Sequence, residues 1–324
     1  MTAGVRKNKN RVAAIDCGTN SIRLLVADLP APELRPAAAL TDVVRRMEIV
    51  RLGAGVDRTG RLAADAIERT RVVLAEYAHQ ISGSGADRVR MVATSASRDA
   101  ANADDFTAMV RATIGVDPEV ASGDEEARLS FDGAIRGLPA SEPAPYLVVD
   151  IGGGSTEFVT GAQTVDHAIS IDIGGVRMTE RHLLTDPPTS AEIAAAERDI
   201  TAAVRHALDV VPGRDAKTLV GLAGSVTTVA AIAMGLETYD PGRTHHSRVS
   251  AADVARITDD LLGATRAQRS AIPVMHPGRA DVIAAGALIL RTIMAESGAS
   301  VVVASEHDIL DGIAWSLADR VTTA

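Results

Sequence analysis

Ile15-Asp16-Cys17-Gly18-Thr19-Asn20-Ser21, continuing as Ile22-Arg23-Leu24-Leu25-Val26, has a counterpart later in the chain. The counterpart is Val149-Asp150-Ile151-Gly152-Gly153-Gly154-Ser155-Thr156, continuing as Glu157-Phe158-Val159. In each, an apolar run ends in Asp, a glycine-containing turn with hydroxyl side chains follows, and a second apolar run begins at once. That order predicts two strand–turn–strand hairpins, each with a carboxylate at the mouth of its turn. A lone Asp in such a place ordinarily bonds its own backbone. The second copy, 134 residues after the first, changes the reading. Two such turns facing each other make a cradle for phosphate and a divalent cation. The three glycines after Asp150 let backbone N–H groups approach an anion closely, and Ser155 and Thr156 add hydroxyls.

Strands and helices alternate around the hairpins. Strands are expected at Val12–Ile15, Ile22–Asp28 and Val43–Val50, with a Pro-rich loop from Pro30 to Pro36. Arg51 to Asp57 reads as a loop, and a helix from Ala63 to Ile81 stops at Ser82-Gly83-Ser84-Gly85. A strand at Val89–Ala93, a helix at Ala103–Ile114 and a short strand near Val116–Val120 follow. Ser122 opens a further helix, and Gly137 to Pro145 reads as a surface linker. At Tyr146 the pattern restarts. Helices are then expected at Ala191–Val211, Ser225–Met234, Ala251–Leu262 and Arg279–Glu296, a strand at Val301–Ala304 and a last helix over Asp308–Arg320. The restart implies an internal duplication in an α/β chain, with domains 1–124 and 125–324 and a ligand cleft between them. Helix 308–320 is free to pack on the first domain.

Composition narrows the function. The chain has 324 residues, 46% hydrophobic and 23% charged, as soluble globular proteins have. Aromatics at 2% make base stacking a poor recognition device, and the net charge of −9 argues against a nucleic-acid partner. No apolar run reaches the ~18 residues of a membrane span, and Met1 to Arg11 is basic without a signal-like apolar core. A single cysteine, Cys17, excludes an internal disulfide, so a cytoplasmic location is expected. Lys7, Lys9 and Lys217 are the only lysines; the other cations are arginines, whose planar fork suits phosphate oxygens.

A third glycine turn, Val220-Gly221-Leu222-Ala223-Gly224-Ser225-Val226-Thr227-Thr228, runs from a buried strand into a helix whose N-terminus attracts anions. Ser122 and Glu125 have capping-box spacing, which gives Glu125 a structural task. Glu126, about 100° further round the helix, is left over. It suits a general base acting on water, although on spacing alone a solvated first-turn glutamate is the preferred reading. Asp150, helped by Asp16 or Glu157, fits a hard cation such as Mg²⁺. Arg98 follows the strand Val89–Ala93, where ligand crevices of α/β folds lie. Arg23, Arg51 and Arg177 also flank glycine turns and default to surface roles. His245-His246 reads as a loop pair, and His307 is ambiguous.

Four ordered motifs now stand together: Asp16 to Ser21, Ser122-Gly-Asp-Glu-Glu-Ala-Arg-Leu129, Asp150-Ile-Gly-Gly-Gly-Ser-Thr-Glu157 and Gly221 to Thr228. Over about Val12 to Ala314 the chain resembles the exopolyphosphatase and guanosine pentaphosphate phosphohydrolase (Ppx/GppA) family of the actin-like, sugar-kinase superfamily, in its short two-domain form. The resemblance implies two actin-like, ribonuclease-H-like domains about a phosphate-binding cleft, and removal of the terminal phosphate from inorganic polyphosphate. It implies Glu126 as the catalytic base, with Glu157 assisting at the metal or the water. Asp150 and Asp16 are the metal residues it implies, for Mg²⁺, with Mn²⁺ and a monovalent cation such as K⁺ as further candidates. Asn20, Ser21, Arg98, Gly152, Gly153, Gly154, Ser155, Gly224 and Ser225 would contact phosphate. A homodimer is implied, and the apolar helix Asp281–Met294 serves either an interface or the core.

Two departures from the family pattern stand out. Longer members carry extra C-terminal helical domains, whereas this chain stops at Ala324, so short chains are the expected substrates. The family's Leu-Arg-Glu-Gly corresponds to Ile309-Leu310-Asp311-Gly312, without the Arg, which weakens close contacts to a guanosine polyphosphate. Alternative readings are a pppGpp 5′-phosphohydrolase, an ATP-dependent kinase of the superfamily, and a phosphate or nucleotide sensor without turnover.

Overall fold

The structure, a computed structural model, describes residues 10–35 and 38–319. Lys7 and Lys9, Pro36 of the Pro-rich loop and Arg320 of the last expected helix lie outside them. The chain divides into two compact units: residues up to Gly137 with those from Ile309 on, and Leu138–Asp308. No helix among the described residues is long and apolar enough to cross a membrane.

The first unit opens with β1 (Arg11–Cys17), β2 (Ser21–Asp28), β3 (Thr41–Ile49), α1 (Val56–Thr59) and α2 (Ala64–Ser84). It continues with β4 (Arg88–Ala93), α3 (Ser95–Asp99), α4 (Ala103–Ile114), β5 (Glu119–Val120) and α5 (Gly123–Ile135). Its sheet runs β3-β2-β1-β4-β5. The β1–β2 and β2–β3 pairs are antiparallel, and β4 lies parallel to both β1 and β5. Alternation along β1 feeds two cores: Ala13, Ile15 and Cys17 pack with Leu74, Tyr77 and Phe106, while Val12 and Ala14 pack with Leu129 and Trp315. Burial on both faces is why this strand reads as one apolar run.

The second unit contains β6 (Tyr146–Ile151), β7 (Thr156–Gly161), β8 (Val165–Ile171), α6 (Gly175–His182) and α7 (Ser190–Val210). Then come β9 (Thr218–Leu222), α8 (Ala223–Ala233), α9 (Pro241–Thr244), β10 (Arg248–Ser250), α10 (Ala251–Gly263), α11 (Arg266–Ser270), α12 (Ile283–Ser297) and β11 (Val301–Ala304). Its sheet runs β10-β11-β9-β6-β7-β8. β8-β7-β6-β9-β11 repeats β3-β2-β1-β4-β5 strand for strand, with the same directions. The duplication expected from the two hairpins is therefore a duplicated five-stranded sheet.

The last helix, α13 (Ile309–Asp319), returns to the first unit. Ile309, Leu310, Ile313, Ala314 and Trp315 cover the second face of its sheet. Arg88 donates to the Leu317 carbonyl (2.9 Å), Arg35 to the Ala318 carbonyl (3.2 Å) and Arg90 to Ser316 Oγ (2.8 Å). Arginines suit a helix C-terminus, where the carbonyl dipoles end. Asp311, buried, pairs with Arg45 of β3 at 2.6 Å.

Several expected boundaries change. The domain division falls at 137/138 instead of 124/125, so α5 and Glu126 belong to the first unit. α5 packs its Leu129 backbone against Gly312 of α13, which ties it there. α2 runs through Ser82 and Gly83 and stops at Gly85, which takes the left-handed conformation (φ 77°). The helix expected from Arg279 starts at Ile283, after a single 3-10 turn over Pro277–Arg279. The elements β8, β10, α1, α3, α6, α9 and α11 are additional to the expected ones. Both faces of α12 are buried, in the core of its own unit, so core packing accounts for its apolar sequence.

A Cβ added at Gly312 would fall 2.0 Å from the Leu129 carbonyl oxygen. Gly312→Ala must therefore push α13 off α5. It is expected to lower stability by about 1–3 kcal/mol, read as a fall in the urea midpoint with an unchanged slope.

Candidate active site

The β6–β7 hairpin closes through Gly152 N–H donating to the Ser155 carbonyl at 3.1 Å. The carbonyls of the turn all face one way. Gly175 N–H donates to Gly152 O (2.9 Å), Val176 and Arg177 N–H donate to Gly153 O (2.9 and 3.1 Å), and Arg177 Nε donates to Gly154 O (2.7 Å). These peptides are trans, so C=O and N–H point opposite ways across each. The N–H groups of Gly153, Gly154 and Ser155 are therefore aimed away from α6, side by side, as an anion-binding nest requires. Gly174 makes the approach possible: a Cβ there would lie 2.4 Å from Gly153 O and 2.7 Å from Gly154 N.

The β1–β2 hairpin uses the same device. Gly18 N–H donates to Ser21 O (2.9 Å), and the loop after β3 ties back the turn. Val50 and Arg51 N–H donate to Asn20 O (3.1 and 2.9 Å), and Gly53 N–H donates to Thr19 O (2.8 Å). The amides of Asn20 and Ser21 are thereby turned outward. Gly53 is Gly for the same reason as Gly174: its Cβ would meet Thr19 Cγ2 at 2.4 Å. Thr19 Oγ1 bonds Ser95 Oγ at 2.9 Å.

The two hairpins differ in one register position. Asp150 stands opposite Glu157, and Asp16 stands opposite Arg23. Directly opposed residues on antiparallel strands put their side chains on the same face, with Cβ atoms about 4.5–5.5 Å apart. In the first unit the result is an ion pair, with Arg23 Nη2 and Nε at 2.7 and 2.9 Å from Asp16 Oδ2. Arg23, read as a surface residue, is thus committed to Asp16, as Arg177 is to Gly154. In the second unit two buried carboxylates lie side by side, and Ser170 Oγ donates to Glu157 Oε1 at 2.7 Å. Like charges so placed repel unless a cation lies with them. Two carboxylates with phosphate and water make the donor set of a hard cation such as Mg²⁺. No group of three or more His, Cys, Asp or Glu side chains that could hold a metal ion occurs among the described residues.

Arg98, at the end of α3, donates through Nη1 to the Ala121 carbonyl (3.0 Å) and to Glu126 Oε2 (3.1 Å). Glu126 is only 7% exposed, so the solvated first-turn reading does not hold. Ser122 caps α5 by accepting from Glu125 N–H at 3.2 Å. The expected return bond from Glu125 is replaced: its carboxylate takes Arg90 Nη2 at 2.6 Å, a stronger charged partner. Cys17, buried in the first unit's core, has its thiol pushed up by burial and by Asp16, and so stays protonated and unreactive.

At the third turn Ala223 takes a positive φ (66°) and α8 begins. The Arg279 guanidinium lies flat on Gly224, where a Cβ would fall 2.3 Å from its Cζ, and Nη1 donates to Thr228 Oγ1 at 3.3 Å. A cation at a helix N-terminus opposes the dipole, an arrangement that an anion there would favour. Ser225 Oγ is packed on Gly286 of α12, leaving its amide to face the turn. In each unit the candidate residues gather at the C-terminal ends of the parallel strands. Sequence reading missed Gly53, Gly174 and Arg279. The signal for the glycines was present, since both follow the third strand of their repeat.

The duplicated sheet and the amide-lined turns that follow an aspartate in each unit define a two-unit α/β protein built on one repeated frame. Residues 34–320 match the Ppx/GppA phosphatase family, and the chain belongs to it. Exopolyphosphatase 2 of Mycobacterium tuberculosis is 51% identical over 317 residues, covering 95% of this chain and 98% of that protein. The crystal structure of an exopolyphosphatase-like protein shares 42% identity and a TM-score of 0.91, covering 96% of this chain and 99% of that one. The Aquifex aeolicus Ppx/GppA structure shares 31% identity and a TM-score of 0.80, covering 97% and 99%.

Gly174→Ala must displace the Gly153 peptide. A folded variant with phosphatase turnover lowered by about 10²-fold is expected, from kcat/KM beside a circular dichroism spectrum matching that of the unmutated protein.

Proposed function

We propose that the protein is a metal-dependent exopolyphosphatase that removes the terminal phosphate of inorganic polyphosphate. The observation that carries this reading is the second hairpin, where three outward amides adjoin two side-by-side carboxylates. The name of the 51%-identical M. tuberculosis relative supports it.

Asp150 and Glu157 would hold Mg²⁺ or Mn²⁺, which when bound supplies charge neutralisation on the phosphoryl oxygens. Asp16, whose Oδ2 is taken by Arg23, would have only its other carboxylate oxygen to offer a cation. The amides of Gly153, Gly154 and Ser155, with those of Asn20, Ser21 and the Gly224–Ser225 turn, bind phosphate oxygens. Arg98 and Arg279 add positive charge. Glu126 orients a water and takes its proton as the water oxygen bonds to the terminal phosphorus. The bridging P–O bond breaks, its electron pair stays with the shortened chain, and orthophosphate leaves. Such a transfer needs positioning and electrostatics above all, and these groups supply both.

Glu126→Gln keeps the shape and loses the base. Phosphate release from polyphosphate is expected to fall about 10²–10⁴-fold while binding persists. The assay runs across polyphosphate lengths, pppGpp and ATP, with and without Mg²⁺. Polyphosphate turnover that requires the metal supports the proposal. Turnover of pppGpp alone would replace the substrate, and a Glu126→Gln variant within twofold of the unmutated protein would remove the base.

A further inference from the structure

At the other end of the second unit's site edge lies a cluster the mechanism does not use. The rings of His245 and His246 stand 3.6 Å apart, and those of His245 and His307 stand 4.4 Å apart. His246 has a left-handed backbone (φ 62°), uncommon for a residue with a side chain, held by its N–H donating to Ala304 O at 2.7 Å. Its Nε2 is buried and meets no hydrogen-bond partner. His245 Nδ1 accepts from Glu306 N–H at 3.2 Å, which leaves the proton of the neutral ring on Nε2.

The cluster belongs to the site edge. Ala304 pairs with Gly221, and Ser305 N–H donates to the Gly221 carbonyl, immediately before the Gly224 turn. β11, β9 and β6 are adjacent parallel strands, so two strand spacings, about 10 Å, separate the cluster from the Gly152 turn.

We propose that His245, His246 and His307 form a subsite for phosphate oxyanions of the bound polyphosphate, beyond the unit that is cleaved. The proposal rests on the polyphosphate reading above. His246, half-buried and packed on His245, resists taking a charge, and an oxyanion laid against it removes that resistance. The surrounding charges leave this task open. Glu306 Oε1 already takes the hydroxyls of Tyr239 (2.5 Å) and Thr244, and its proximity and burial push the Tyr239 phenol up. Glu142 is paired with Arg248 at 2.5 Å, and Asp308, buried, ends the segment. Burial first, and then His307, hold the His246 ring below its ordinary value, against a smaller opposing pull from Glu142. An oxyanion reverses that balance. Binding should therefore tighten as pH falls through the ring midpoints, since the complex holds protons that the free protein does not.

The test is a pH titration of imidazole resonances in the full chain, without metal, alone and with tripolyphosphate or orthophosphate. With tripolyphosphate, the His246 and His307 midpoints should rise by about one pH unit or more, while exposed His79 and His206 stay in place. His246→Gln with His307→Gln should weaken tripolyphosphate binding at pH 6 by about tenfold and remove its pH dependence. Unmoved rings in a chain that hydrolyses polyphosphate would overturn the subsite and leave the activity intact. An equal response to orthophosphate would overturn the assignment to the chain substrate. Moved rings without phosphate release would keep the subsite and refute the hydrolase.

Discussion

Everything at the candidate site depends on where the turn carbonyls go. A hairpin turn beside a carboxylate is ordinary; one whose carbonyls are all occupied from one side is not. In the second unit the first amides of α6 and the Arg177 side chain take the carbonyls of Gly152, Gly153 and Gly154. Peptide planarity then fixes the N–H groups on the opposite side. The first unit reaches the same end with the Val50–Gly53 loop. One glycine in each unit, Gly53 or Gly174, permits the close approach. The direction of the turn amides is thus set by packing between a hairpin and the segment that follows the third strand.

On this shared frame the units diverge by single residues. Opposite its Asp, one carries Arg23 and the other Glu157. The first gives an ion pair between Asp16 Oδ2 and the Arg23 guanidinium. The second places two buried acids on one face. In the first unit, α3 and α5 bring Arg98 and Glu126 together.

The fold was legible because the hairpin pattern is local and occurs twice. Asp16, Asp150 and their glycines show it without any long-range information; β1 and β2 fell within two residues of expectation at each end, and β6 starts at Tyr146, where the restart was read. The domain boundary was not legible, since α5 is held by α13 from nearly 180 residues later, through the Gly312 contact that no local pattern reveals. The partner of Glu125 was misread for the same reason: Arg90 lies on a strand 35 residues away, and only the fold brings it close. Glu126 separated from its neighbour by helical phase alone, but its burial beside Arg98 needed the structure. The histidine cluster joins residues 245 and 307 through the β10–β11 pairing, so the sequence showed only a loop pair.

The most direct measurement is on the amides themselves. Backbone ¹H–¹⁵N resonances of the chain would be followed while tripolyphosphate is added with Mg²⁺. The largest shifts should fall on Gly153, Gly154 and Ser155, with Asn20 and Ser21 next, and the Gly53→Ala and Gly174→Ala variants should each lose the response of their own turn. Unmoved turn amides under saturating ligand, with shifts elsewhere, would contradict the account.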